Sequence, residues 1–144
     1  MTGSAEIEAH VRRFIEIHRI AHLATADAQG RPWVIPVCYV FQNGTFYSVI
    51  DEKPKRLQPG RLRRVINIRE NPNAALVIDD YSEDWQTLAY VHVRGRAAIL
   101  ESGAEHAAAI SALRAKYPQY RSMEIDSKPV ITLAPQTIRY WSAG

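Results

Sequence analysis

The chain has 144 residues, 47% apolar and 23% charged, with 18 Lys plus Arg against 15 Asp plus Glu and a formal net charge of +3. That describes one globular domain with a modest core and excludes a disordered chain. A single cysteine, Cys38, excludes an intrachain disulfide and a Cys-rich metal site.

Residues 4–20 carry a helical period, with Ile7, Val11, Phe14, Ile15 and Ile17 on one side and Arg12, Arg13 and Glu16 facing water. This opening is charged throughout and has no apolar signal core. No apolar run in the chain approaches membrane-spanning length, so the expected location is cytoplasmic, away from membranes. The period then changes. "HLATADAQGRPWVIPVCYVFQNGTFYSVID" reads as strand, turn, strand, turn, strand, with "DAQG" and Asn43-Gly44 as the turns. Pro32 and Pro36 have no N–H to give a ladder, so the second strand belongs at a sheet edge or breaks there.

"KPKRLQPG" is a loop stiffened by Pro54 and Pro59, and residues 61–70 form a helix with Leu62, Val65, Ile66 and Ile68 available for packing. Asn71-Pro72 stops it. "NAALVIDDY" is a strand, and "TLAYVHVRGRAAILES" is a longer one that bends at Gly95. Ser102 to Glu105 has the form of a capping box, opening the Ala-rich helix that Pro118 ends. "PVITLAPQTIRYW" is a last strand, broken at Pro135. The expected class is mainly β (α+β): a six-stranded antiparallel split β-barrel with flanking helices, as a single domain over residues 1–144.

Charge is uneven along this order. Lys53, Lys55, Arg56, Arg61, Arg63, Arg64 and Arg69 fall within seventeen residues that hold no carboxylate. A like-charge cluster repels itself, so it points to an anionic ligand at one place. Gly60 allows close approach before the helix, whose N-terminus favours phosphate, and Arg61 and Arg64 share a face. The rival readings are a plain solvated helix face and nucleic-acid binding. The second lacks interleaved aromatics and any reader motif.

Three stretches carry a family likeness. They are the opening meander above, "KPKRLQPGRLRRVINIRENPNAALVID", and "DDYSEDWQTLAYVHVRGRAAIL", together spanning roughly residues 20–101. In order and spacing they resemble the pyridoxamine 5′-phosphate oxidase-like, FMN-binding type of split barrel. More narrowly, they resemble its deazaflavin (coenzyme F420)-dependent branch. The resemblance implies a homodimer with a flavin or deazaflavin in the subunit interface and a small-molecule substrate. Carried onto this chain, Pro36, Val37 and Cys38 would offer backbone groups to the ring. Ser48, Val49, Ile50 and Asp51 would lie under the ribityl chain. Lys55, Arg61 and Arg64 would hold phosphate with Asn67 in support, and Trp85, Arg139 and Trp141 would approach from the other subunit.

Two departures matter. Many relatives have lysine where Arg64 stands; arginine still binds phosphate, often in two-pronged fashion. The chain also ends "IRYWSAG", without the Arg-containing segment by which true pyridoxamine phosphate oxidases hold substrate, which argues against that reaction.

The expected activity is hydride transfer between F420 and a small unsaturated or electrophilic molecule. The alternatives are the same fold using FMN, and a non-catalytic binder of flavin, deazaflavin or haem. Cys38 in an apolar strand reads as an inert thiol. The histidines at 10, 18, 22, 92 and 106 show no metal-ligand spacing. Trp85 and Trp141 fit core or interface as readily as a cofactor ring. No Ser-His-Asp order or paired carboxylates stand out, which suits an enzyme whose cofactor does the chemistry.

Overall fold

The computed structural model describes residues 7–51 and 62–144. Lys53, Lys55, Arg56, Gly60 and Arg61 of the basic segment lie outside the described residues, as do the first residues of the expected N-terminal helix. Helix α1 is Ala9–Ile17 and stops short of residue 20, because His18 takes an extended backbone. Its ring stacks on Phe14, and its nitrogens lie 2.6 Å from the Phe14 carbonyl and 2.6 Å from Asp80. The end of α1 is thereby tied to the sheet.

Seven antiparallel strands follow among the described residues: β1 (Ala21–Ala26), β2 (Pro32–Val37), β3 (Val40–Gln42), β4 (Thr45–Val49), β5 (Asn73–Asp80), β6 (Ala89–Leu100) and β7 (Val130–Ser142). Their order in the sheet is β2-β1-β5-β6-β7-β4-β3. The curled half-barrel is the expected split-barrel class with one strand more. The extra strand arises where the second expected strand divides at Cys38-Tyr39. β2 is an edge strand, as its two prolines require. The β3–β4 turn places Asn43 at φ 54° and Gly44 at φ 78°, the left-handed pair of a two-residue hairpin.

Helix α2 (Arg63–Glu70) starts two residues later than its sequence suggests and buries Val65 and Ile68 against the barrel. Full burial of each is worth about 1.5–3 kcal/mol. Helix α3 (Ala104–Lys116) does not open on a capping box: Gly103, at φ 102°, is the N-cap, and no side chain caps it. Glu105 is engaged elsewhere, accepting the Tyr47 hydroxyl at 2.7 Å. β7 is not broken at Pro135. It runs on through a bulge, where Gly95 pairs with Pro135 and Arg94 with Thr137, leaving Gln136 over. At that crossing a Cβ on Gly95 would lie 2.1 Å from the Ala134 carbonyl oxygen.

The barrel core gathers Ile15, Leu23, Val65, Ile78, Val91, Val93 and Leu133. A second cluster under α3 holds Val49, Ile110, Leu113, Tyr117, Ile125 and Val130. Strand alternation leaves an outward face with one row in register across five strands: Pro36, His22, Val77, His92, Arg139. Among the described residues no helix is long and apolar enough to cross a membrane.

Candidate functional site

The β1–β2 turn and α2 face one another across a cleft of about 390 Å³ lined by Asp27, Arg31, Pro32, Trp33, Arg63 and Asn67. The turn wall is fixed by one carboxylate. Asp27 accepts the N–H groups of Gln29 and Arg31, each at 2.9 Å, and the Arg31 Nε–H at 2.6 Å. The Arg31 backbone and guanidinium hold its carboxyl below the usual range. Asn71 reaches the same turn, donating to the Asp27 carbonyl at 3.3 Å. Trp33 stands at the rim, nearly half exposed.

The helix wall brings one cation and one enclosed amide. Arg63 is exposed on the first turn of α2, where the helix dipole already favours an anion. Asn67 has no exposed surface at all. Its Nδ2 donates to the Thr25 hydroxyl at 3.1 Å, and its Oδ1 has no hydrogen-bond partner among the described residues. A hydroxyl can serve either end of an amide, so one end stays unmet whichever way the side chain is turned. An enclosed polar group left open costs about 1–3 kcal/mol, and a ligand in the cleft would recover it.

Of the described residues expected from sequence, only Asn67 lines this cleft. Arg64, on α2, is buried and is not without a partner. Arg63 takes the cleft position, which the argument from a shared helix face passed over. Lys55 and Arg61 lie outside the described residues. Pro36 is exposed on the outward face of β2 and Val37 is buried, about 17 Å along the strand from Pro32. Ser48, Val49 and Ile50 are all buried, the latter two in the core clusters, and the Ile50 N–H is taken by the Pro129 carbonyl at 2.9 Å.

Cys38 and Asp51 do converge. The Tyr120 hydroxyl donates to Asp51 Oδ2 at 2.5 Å and also neighbours the Cys38 thiol. Burial pushes that thiol up from its ordinary range, as suits an unreactive cysteine. Tyr117 binds the same break: its hydroxyl accepts the Tyr39 N–H at 3.0 Å and lies 2.8 Å from the Arg19 and Tyr39 carbonyls. Neither tyrosine shows in the sequence as a site residue. They stand 69 and 78 residues from the groups they hold, beyond any local motif.

Trp85, Arg139 and Trp141 sit elsewhere. Trp85 is exposed in the 3-10 turn Trp85–Thr87, donating to the Tyr81 hydroxyl at 3.4 Å. Trp141 stacks on Tyr90 with ring centroids 5.5 Å apart, on the same sheet row as Asp79. The cleft's end of β5 is Asn73, six residues and about 20 Å from Asp79.

A family model described as pyridoxamine 5′-phosphate oxidase matches residues 7–142. The chain belongs to this family. A comparison with curated proteins gives no match. Among solved structures, the oxidase-family barrel seen here is similar to the conserved hypothetical protein Rv2991 of Mycobacterium tuberculosis. That match has 18% identity over 99% of this chain and 91% of the other, with a TM-score of 0.78. It is also similar to HutZ, a haem storage protein of Vibrio cholerae, at 17% identity over 94% and 93%, TM-score 0.71. A haem binding protein of Mycobacterium smegmatis matches at 23% identity over 100% of this chain and 56% of the other, TM-score 0.72. At these identities the likeness is one of fold.

Proposed function

We propose that this member of the oxidase family binds a phosphorylated flavin-type coenzyme, F420 in the first place. With it the protein would pass a hydride to a small unsaturated or electrophilic organic molecule. The observation that carries the reading is the enclosed, half-satisfied amide of Asn67 beside Arg63, at the end of a segment rich in cations. Those residues fit an acid-bearing coenzyme: Arg63 offers charge, Asn67 offers an N–H once its amide is turned so that the Thr25 hydroxyl donates to Oδ1, and Trp33 offers an aromatic face. Arg64, Lys55 and Arg61 join them in this reading.

When bound, the deazaflavin supplies the hydride from its C5. The chain's part is to bind, orient and keep water away. The edge backbone at Pro36 to Cys38 would face the ring, with the helix α2 end of the site holding phosphate. The glutamyl tail of F420 offers more carboxylate to the surplus cations than FMN does, which is why FMN is the alternative and not the first choice. Trp141 lies about 20 Å along the strands from the cleft of its own chain, and Trp85 and Arg139 are not among the residues that line it. In this reading a second copy brings them to it, and the working unit is a homodimer.

A haem-binding role is a second reading. It is favoured by the outward row in which His22 and His92 flank Val77 and Arg139 follows, since imidazoles could ligate iron and a guanidinium could meet a carboxylate. The haem storage and haem binding proteins of the same fold lean the same way.

The test is to titrate purified protein with F420, FMN and haem, then assay reduced F420 against enones and quinones. Binding of F420 with turnover supports the first reading. FMN binding alone selects the alternative, and haem uptake with a Soret shift selects the second.

A further inference from the structure

Two cations share one aromatic ring at the end of α3. The Lys116 ammonium lies 5.4 Å from the Tyr117 ring centroid, and the Arg19 guanidinium lies 5.5 Å from it. The same ammonium sits 4.0 Å from the ring centroid of Tyr39, a residue with no exposed surface. A lysine in the last turn of a helix ordinarily turns to water or to the carbonyls left open there. Here Arg19 takes the Lys116 carbonyl, its Nη1–H donating at 2.6 Å, and the ammonium lies over the break between β2 and β3 instead. Among the described residues no hydrogen bond or ion pair holds that ammonium, and Glu16 of α1 lies beyond ion-pair distance. Lys116 nevertheless keeps part of its surface in solvent.

We propose that Lys116 is an acylation site: its amine, set against two tyrosine rings and beside a second cation, reacts with small acyl phosphates ahead of the chain's other lysines. The reactive form of a lysine is the neutral amine, which burial and a neighbouring cation both favour. Burial acts most strongly here and the Arg19 guanidinium next. The Cys38 thiol and Glu16 act the other way, as does the ring contact, yet the amine comes down to about 8. At pH 7.5 roughly a quarter of such an amine is neutral, against about one part in a thousand for a lysine titrating near 10.4. In the acyl transfer the nitrogen lone pair adds to the acyl carbonyl carbon. The C–O bond to phosphate then breaks, phosphate leaves with that electron pair, and the nitrogen's surplus proton goes to phosphate or water. An amide replaces the amine, and nothing is oxidised or reduced. The product is uncharged, so acylation removes one of the two cations crowded on Tyr117, at the break that Tyr117 closes.

The experiment treats the wild type with limiting acetyl phosphate and maps the acetyl groups on Lys53, Lys55, Lys116 and Lys128, the chain's four lysines. At about pH 7.5 Lys116 should be acetylated about tenfold faster than each of the others, since its larger neutral fraction is partly offset by weaker nucleophilicity and partial burial. Its rate should bend near pH 8 and level off, while the others climb toward about pH 10. In guanidinium chloride the preference should vanish, because the rings and Arg19 no longer surround the amine. A Lys116 rate no greater than that of Lys128 would overturn the proposal. So would a Lys116 rate that still rises with the others at about pH 10, or a preference that survives unfolding.

Discussion

Asn67 donates to the hydroxyl of Thr25 at 3.1 Å, and the opposite end of the same amide, fully enclosed, has no hydrogen-bond partner among the described residues. Proteins seldom leave such a group open unless something else uses it.

That relationship predicts a separation of stability from binding. Replacing both partners by apolar groups of similar shape, Thr25→Val with Asn67→Leu, removes a poorly satisfied pair. Unfolding free energy by urea should stay within about 1 kcal/mol of the wild type. Affinity for the phosphorylated coenzyme should fall at least tenfold, about 1.4 kcal/mol. A double variant that loses more than about 3 kcal/mol of stability would mark the amide as structural.

Gly95 gives a purely steric prediction. Its missing Cβ is occupied by the Ala134 carbonyl oxygen at 2.1 Å, with the Ala134 carbonyl carbon and Pro135 Cα inside 3 Å. These are backbone atoms in a paired strand and cannot swing aside. Gly95→Ala should cost roughly 3 kcal/mol or prevent folding, whereas Ala98→Gly, on the same strand's exposed face, should cost about 1 kcal/mol. Equal midpoints in urea would show that the crossing yields.

How much of this was legible beforehand differs by kind of signal. Proline placed β2 at the edge, Asn43-Gly44 placed a hairpin, and Asn71-Pro72 ended α2, because each acts on its own backbone. The division at Cys38-Tyr39 was hidden inside a continuous apolar run, since it is made by Tyr117 from far along the chain. The capping box failed because Gly103 adopts a left-handed backbone and Tyr47 claims Glu105. At the candidate cleft, Asn67 was named from its helix, whereas Arg31 and Trp33 were given no site role. Their role depends on the turn folding over α2, which no spacing reveals.

A pH prediction follows from Lys116. Burial, with the Arg19 guanidinium beside it, brings its amine down to about 8, although its ammonium lies 4.0 Å from the Tyr39 ring centroid, a contact that favours charge. The unfolded amine titrates near 10.4. Between those values the unfolded chain holds the extra proton, so Lys116 makes stability rise with pH from about 8 to about 10. The buried tyrosines Tyr47 and Tyr117, both pushed up to about 12, oppose it above about 10. In Lys116→Met the rise over pH 8–10 should vanish from urea midpoints. An unchanged slope would remove Lys116 as its source.

The most direct test of the central claim, that the cleft between the β1–β2 turn and α2 holds the acidic end of a flavin-type coenzyme, is the F420 dissociation constant of Arg63→Ala against the wild type at fixed low salt. Loss of one charged hydrogen bond predicts affinity weaker by about 1.5–3 kcal/mol, with the difference shrinking as salt rises. Equal affinity in the two proteins, at every salt concentration, would contradict it.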